Sequence, residues 1–286
     1  MIVVLGLIGL FFSVFGLYML QGGNISVIIH AAPIELATIL GAGVAATAIG
    51  NSPKTLRALL VGIRKVFAGS GINRESYLEV IFAVAGIMKT LRTKGARALE
   101  ADVNDPYSSE LFTTYPRVLR DKQLLRLITD TINVLVNSPG GMSAKDLDLI
   151  LETAINAVHR EKKLPIMALD KLAGGLPALG IVACILGIVK TMAQIDAAPS
   201  VLGALIAAAL VGTFLGVFLA YGIVEPFSVR LKHIVRQEME QYRIVQQVIV
   251  GSASGMSLVF VIECARVSIE PSLQPSFDEI FDGLMR

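Results

Sequence analysis

Four stretches of this 286-residue chain are almost free of charge and long enough to cross a bilayer, and this constrains the fold more than anything else in the sequence. Residues 1–34, 36–53, 172–189 and 197–224 contain no Asp, Glu, Lys or Arg. A helix needs about 20 apolar residues to span the hydrocarbon core, and segments 1–20, 30–50, 172–193 and 199–224 each supply that length. Setting these four aside removes only Glu35 and Lys190, so 46 of the 48 charged residues lie elsewhere. The remainder is then about as charged as an ordinary soluble domain. The chain therefore reads as a membrane protein with a water-exposed portion of normal composition.

Lys and Arg are distributed unevenly around the spans. The segment 51–171 holds 18 of the 25, the tail 225–286 holds six, and the loops 21–29 and 194–198 hold none. Positive charge marks the cytoplasmic side. Both termini and the 121-residue insertion are expected in the cytoplasm, and the two short loops outside. A cleaved signal peptide is disfavoured, because no positive region precedes the first apolar run and Leu20-Gln21-Gly22-Gly23 is a poor cleavage site.

The insertion reads as helical. Tyr77, Val80, Ile81, Val84, Ile87, Met88 and Leu91 repeat at the spacing of one buried helix face. Leu124, Leu125, Leu127, Ile128, Ile132, Leu135 and Val136 form a second, which the turn cluster Asn137-Ser138-Pro139-Gly140-Gly141 ends. Ser143 and Asp146 have capping-box spacing and open a third, with Leu147, Ile150, Leu151, Ala154, Ile155 and Val158 on its face. After the fourth span, Leu231, Ile234, Val235, Tyr242, Val245 and Ile249 continue a helix whose apolar face is interrupted only by Glu238. Pro271 and Pro275 end that region and leave a short terminal helix or frayed tail. The expected fold is all-α: outer spans 1–50, a helical cytoplasmic domain 51–171, a second pair of spans 172–224 and a cytoplasmic tail 225–286.

The second pair of spans is rich in small residues. Gly180, Ala183, Cys184, Gly187 and Thr191 share one stripe, and Gly212 with Gly216 forms a GxxxG. Such residues let helix backbones approach closely in lipid. The plain reading is a close-packed helix pair; the sharper one is a stripe facing another helix or a pore, with Thr191 and Thr213 as polar points. Pro177 and Pro226, each near the cytoplasmic end of its span, read as lying at a similar depth, either as helix boundaries or as a joint.

Intramembrane ion carriers normally use a buried Asp, Glu or His. None is expected deep in these spans, since Glu35 reads as close to the outer boundary and Lys190 as snorkelling outward. If ions cross here, a partner brings the titrating group. Enzyme constellations are missing too: His30, His159 and His233 lack metal-ligand spacing, and no GxSxG, P-loop or dinucleotide-binding glycine pattern occurs. Cys184 and Cys264 do not make a disulfide framework, and the net charge of +2 gives no case for nucleic acid. No enzyme, metal or cofactor is expected.

GGLPALGIVACILGIVKTM (174–192), PSVLGALIAAALVGTFLGVFLAYGIVEP (199–226) and GARALEADVNDPYSSELF (95–112) resemble the MotA family, the A subunits of bacterial flagellar stators. The resemblance covers nearly the whole chain and is weakest in 1–33 and beyond 245. It implies an inner-membrane ring of five A subunits around two copies of a MotB-type B subunit, whose single span brings the ion-carrying Asp. It implies that Pro177 and Pro226 couple ion passage to cytoplasmic movement. Arg92 and Glu100 match the family's charged pair that touches the rotor protein FliG, and on sequence alone they and Lys94 and Arg97 are a solvated charged face. Cys184 stands where sodium-driven members carry Thr, while Thr213 keeps the fourth-span hydroxyl; a thiol is a poor ligand for a hard cation, so H+ is favoured over Na+. The alternative is an ion-channel subunit of the ExbB/TolQ type that drives a transporter or envelope machine. Those relatives have three spans, with the cytoplasmic domain after the first. A third reading is a structural helical scaffold.

Overall fold

The computed structural model describes residues 2–138 and 142–285. Among these every regular element is helical. In chain order they are α1 (Ile2–Leu20), which contains a π-turn at Phe12–Gly16, and α2 (Ile25–Gly50). Next come α3 (Pro53–Ala68), α4 (Arg74–Lys94), a 3-10 turn (Ala96–Leu99), and the short α5 (Glu100–Asn104), α6 (Glu110–Thr113) and α7 (Pro116–Arg120). Then follow α8 (Lys122–Val136), α9 (Ala144–Met192), α10 (Pro199–Val217), a π-helical segment (Phe218–Val224), α11 (Glu225–Ala253), α12 (Leu258–Val267) and α13 (Phe277–Met285). Four helical stretches are long and apolar enough to cross a membrane: Ile2–Leu20, Ile25–Gly50, Ala144–Met192 and Pro199–Ala253. The fold class is as expected, an all-α membrane protein with four such helices.

Two features differ from expectation. The helix opened by Ser143 and the third span are one uninterrupted 49-residue helix, α9, about 74 Å long at 1.5 Å per residue. Pro165 and Pro177 lie inside it, each lacking the N–H that would reach the preceding turn. The helix after the fourth span stops earlier than Pro271: Gly255, at φ +80°, turns the chain, and Ser257 caps α12 by accepting the Phe260 N–H (3.3 Å). Half of the expected capping box is present: the Asp146 N–H donates to Ser143 Oγ (3.2 Å), and the Ser143 hydroxyl donates to Asp146 Oδ2 (2.6 Å). Of the turn before it, Pro139, Gly140 and Gly141 lie outside the described residues.

The chain forms two compact units: residues 1–69 with 162–234, and residues 70–161 with 235–286. In the first, α9 and α10 meet at their glycines. A Cβ on Gly216 would lie 2.7 Å from the Leu176 carbonyl oxygen and 2.8 Å from the Gly180 Cα, and a Cβ on Gly187 would lie 2.7 Å from the Ala209 Cβ. Backbone thus touches backbone, which only Gly permits. Around this seam lies a core of Ile39, Leu176, Ala183, Val211, Leu215 and Ala220. Phe11 and Phe15 of α1 pack edge-on against Phe218, with ring centroids 5.3 and 5.5 Å apart. α3 lies on the start of α11: Phe67 meets Phe227 at 5.3 Å, and Arg230 Nε donates to the Val66 carbonyl (2.9 Å).

In the second unit the expected α4 face is buried almost completely at Tyr77, Val80, Ile81, Val84, Ile87 and Met88. The part of α11 in this unit carries the polar anchors. Tyr77 donates its hydroxyl to Glu240 Oε2 (2.9 Å), Tyr242 donates to Asp121 Oδ1 (3.3 Å), and Gln246 Nε2 donates to Asp148 Oδ1 (2.7 Å). Asp121 also caps α8 by accepting the N–H groups of Gln123 and Leu124 (3.1 and 3.0 Å). Burial, then the neighbouring carboxylates, raise the phenols of Tyr77 and Tyr242 far above the ordinary tyrosine range, so both stay donors at any physiological pH.

Two outcomes follow from this packing. Gly216→Leu forces α9 and α10 apart and is expected to cost about 1–3 kcal/mol or more, lowering the melting temperature of the detergent-solubilised chain. Gly41→Leu, whose Cβ meets nothing within 4 Å, leaves it unchanged. Asp121→Ala removes the α8 cap and the acceptor of a buried hydroxyl and is expected to cost about 2–3 kcal/mol. Tyr242→Phe in the same background recovers part of the loss; a melting curve with no recovery would show that the two groups are not coupled.

Candidate functional site

The membrane unit carries one set of sequence-singled residues. Gly180 and Gly212 oppose each other across the helix seam: a Cβ on Gly180 would lie 2.8 Å from the Gly212 carbonyl oxygen. The small-residue stripe is therefore used inside the chain, as a close-packed pair. Cys184 (8% exposed) and Thr191 (3% exposed) are both buried, and the Thr191 hydroxyl donates to the Gly187 carbonyl one turn back (2.9 Å). Thr213 is half-buried beside Gly212. The opposite face of the third span is apolar and exposed at Ile181, Val182, Ile185, Ile188 and Val189.

Glu35 packs against the fourth span. It sits about 15 Å along α2 from Ile25 at the helical rise. Its Oε2 fills the notch at Gly212, 2.7 Å from where a Cβ would stand, and that notch also borders Ala183 and the Cys184 backbone. Glu35 borders a cavity of about 530 Å3, also lined by Ser26, His30, Thr38, Lys190 and Thr191. His30 Nδ1 donates to the Ser26 carbonyl (2.7 Å), which fixes the ring at the start of α2.

The prolines are not level. Contacts of Gly180 with Gly212 and Gly216, of Gly187 with Ala209, and of Ser228 with Asp170 fix one antiparallel register. In that register Pro177 lies opposite Phe218 and Pro226 opposite Leu169, an offset of about 12 Å along the helices. Between the two levels runs the π-helical segment Phe218–Val224, where the Glu225 N–H reaches back five residues to the Ala220 carbonyl. A π-turn before a proline relieves the clash of its ring with the preceding turn. Just past Pro226, Ser228 Oγ donates to Asp170 Oδ1 (2.6 Å) and Lys232 pairs with Asp170 Oδ2 (2.9 Å). This polar node ties α9 to α11.

The second unit holds the charged cluster. Arg92 and Lys94 lie on the last turn of α4, which Gly95 ends at φ +82°, Arg97 lies on the 3-10 turn and Glu100 opens α5. All four are exposed. Arg92 differs from the others: its guanidinium donates through Nη2 to the carbonyls of Ser252 (3.1 Å) and Met256. Sequence reading gave no sign of this contact, which joins residues 160 positions apart. Among the described residues no group of three or more His, Cys, Asp or Glu is placed to hold a metal ion.

Comparison with known proteins agrees with this architecture. Residues 4–95 match the family described as Motility protein A N-terminal, and residues 121–244 match the MotA/TolQ/ExbB proton channel family. Motility protein A of Salmonella typhimurium is 31% identical over 280 residues, which cover 98% of this chain and 94% of that protein. Motility protein A of Escherichia coli K12 is 30% identical with the same coverage. The chemotaxis protein LafT of Vibrio parahaemolyticus is 31% identical over 96% of this chain and 95% of its own. The C. jejuni MotAB structure superposes with a TM-score of 0.74 at 20% identity, over 96% of this chain and 98% of that one. The stator complex from Bacillus subtilis gives 0.67 at 20% identity over 98% of each. With its four apolar helices, its glycine-seamed third and fourth spans and this likeness over nearly its full length, the chain belongs to the MotA family of flagellar stator A subunits.

Proposed function

We propose that this chain joins a MotB-type B subunit to form a proton channel that turns the proton gradient into torque on the rotor protein FliG. The observation that carries this reading is the 31% identity to a motility protein A over 98% of the chain. The matched structures are those of MotAB complexes, which supports a B-subunit partner. Five copies surround two B-subunit spans, and the exposed apolar face of the third span supplies surface for that assembly. Residues 1–50 form the outer spans, 51–171 the rotor-facing domain, 172–224 the channel part with Cys184, Thr191 and Thr213, and 225–286 the tail. Both termini lie in the cytoplasm, as the Lys and Arg distribution supports.

The cycle follows from the groups available. The B-subunit Asp takes up a proton from outside and releases it inward. Its change of charge alters the preferred position of the helices around it, since an ionised carboxylate in lipid demands water or a donor and a protonated one does not. Pro177 and Pro226 provide the places where α9 and the α10–α11 rod lack a backbone hydrogen bond and bend at low cost. Movement at these two places carries the charged edge Arg92, Lys94, Arg97 and Glu100 past the rotor. The reaction makes and breaks no covalent bond other than to the proton and needs no cofactor. An ExbB/TolQ-type load gains no comparable support, because the relatives matched over the full length are motility proteins.

Proton flux into vesicles is expected only when the B subunit is present and its plug removed; flux from this chain alone would transfer the carrier role to Glu35. For the ion, sodium needs several oxygen ligands, and Cys184 offers sulfur. Swimming speed is expected to stay constant when external sodium is replaced by potassium at fixed pH. Cys184→Ala keeps most of the torque and Thr213→Val lowers it several-fold; motility that stops in sodium-free medium with an intact proton gradient would reverse the ion assignment.

A further inference from the structure

α3 starts just after the end of α2 and carries charge of one sign only. Between Glu35 and Glu75 the chain contains no Asp or Glu, whereas α3 alone contains Lys54, Arg57, Arg64 and Lys65. Asn51 and Ser52 are extended, which breaks the span, and Ser52 then caps the new helix by accepting the Thr55 N–H (3.2 Å). One face of α3, made of Thr55, Leu59, Gly62 and Val66, is buried. A Cβ on Gly62 would lie 2.9 Å from Leu231, and Phe67 meets Phe227, so α3 rests directly on the first turns of α11. At the helical rise, Phe227 and Leu231 lie about 5 and 10 Å beyond Val224, the last residue of the charge-free fourth span. The headgroup layer occupies about 5–8 Å on each side of the hydrocarbon core. α3 therefore lies at headgroup depth.

The outward face of α3 suits that depth. Arg57, Leu60, Arg64 and Phe67 recur at i, i+3, i+7 and i+10 and so share one stripe. Both arginines are exposed, and neither makes a hydrogen bond or ion pair among the described residues. Leu60 between them is 65% exposed and Val61 is 54% exposed, apolar surface of the kind that marks contact with a membrane or a protein. In an interfacial helix the two kinds of side chain separate by depth: apolar groups enter the acyl boundary, while guanidinium groups stay among the phosphates on flexible stems. We propose that α3 is a binding site for anionic phospholipid in the cytoplasmic leaflet, where Arg57 and Arg64, two turns apart, each grip a headgroup phosphate and Leu60 enters the acyl layer between them. A guanidinium meets a phosphate through two parallel N–H donors. The helix offers no carboxylate to a choline or ethanolamine cation, so a zwitterionic headgroup is met only by half. Arg230 Nε donates to the Val66 carbonyl (2.9 Å), so a lipid held on α3 also holds the first turns after Pro226 at the membrane surface. The choice of leaflet rests on the orientation proposed above; the grip itself does not.

Two measurements on the full chain test this. The first uses the absence of Trp from the sequence: Leu60→Trp supplies a single reporter, read in vesicles of phosphatidylcholine and phosphatidylglycerol whose acyl chains are brominated near the headgroup. Its emission is expected to be blue-shifted and quenched by the bromine, and that of Leu149→Trp, in the second unit, is expected to escape quenching. Blue-shifted emission without quenching would mean that a second copy of the chain covers the face, and red-shifted emission that water does; either overturns the proposal. The second measurement compares retention of phosphatidylglycerol and phosphatidylcholine by native mass spectrometry of the chain released from detergent. Arg57→Gln with Arg64→Gln is expected to lower the preference for phosphatidylglycerol about 25-fold, roughly fivefold for each charge removed. Arg57→Lys with Arg64→Lys keeps the larger part, and Lys122→Gln with Lys145→Gln, which removes the same charge from the second unit, leaves the preference unchanged. An equal loss in both Gln pairs would reduce the effect to net charge and overturn the site. Displacement of the lipid by inorganic phosphate as readily as by short-chain phosphatidylglycerol would assign the arginines to a free anion and overturn it as well. Both vesicle leaflets carry the same lipids, so a reversed orientation of the chain would change the leaflet named and leave these results as stated.

Discussion

The approach of two backbones at Gly216, Leu176 and Gly180 sets what the membrane unit can be. In lipid the apolar surface of one helix gains nothing by leaving hydrocarbon for another helix, so association rests on contact area and shape. Glycine at 180, 187, 212 and 216 removes the side chains that would hold the axes apart. That allows Ala183, Val211 and Leu215 to pack as one buried core. It also fixes the register, and the register in turn determines which residues share a level: Glu35 with Gly212, Pro177 with Phe218, Asp170 with Ser228.

Below the seam the forces change character. The glycine contacts give way to hydrogen bonds and charge: Asp170 to Ser228 and Lys232 in the first unit, then Glu240, Tyr242 and Gln246 of α11 to α4, α8 and α9 in the second. Between these regimes lies the π-helical segment with Pro226 after it, where the backbone ladder is weakest. A rod that is held tightly at both ends and weakly between them moves its ends relative to each other by bending at that place. This is the physical basis of the coupling role proposed for Pro226.

Much of this was legible in the sequence, and the rest was hidden for identifiable reasons. The four spans followed from the absence of charge, and the α4 and α8 cores from 3.6-residue periodicity, because both signals are local. The small-residue stripe indicated close packing, and its partner proved to be the neighbouring span of the same chain. The continuity of α9 was obscured by Pro165, Pro177 and the charged run 160–171, which resemble a boundary but are tolerated in a helix whose flanks are packed. The packing of Glu35 on Gly212 and the hydrogen bonds of Arg92 to the Ser252 and Met256 carbonyls join residues more than 150 positions apart, to which no periodicity points. The corner at Gly255 had a local signal, a glycine followed by the N-cap Ser257.

Complementation tests the central claim most directly: the chain and its B subunit supplied to a flagellated, non-motile strain that lacks stator subunits, with rotation of tethered cells recorded. The account predicts that rotation resumes in discrete speed steps as complexes engage and stops within seconds of adding a protonophore. Membrane-inserted complexes that leave the rotor still while the proton gradient is intact would contradict it.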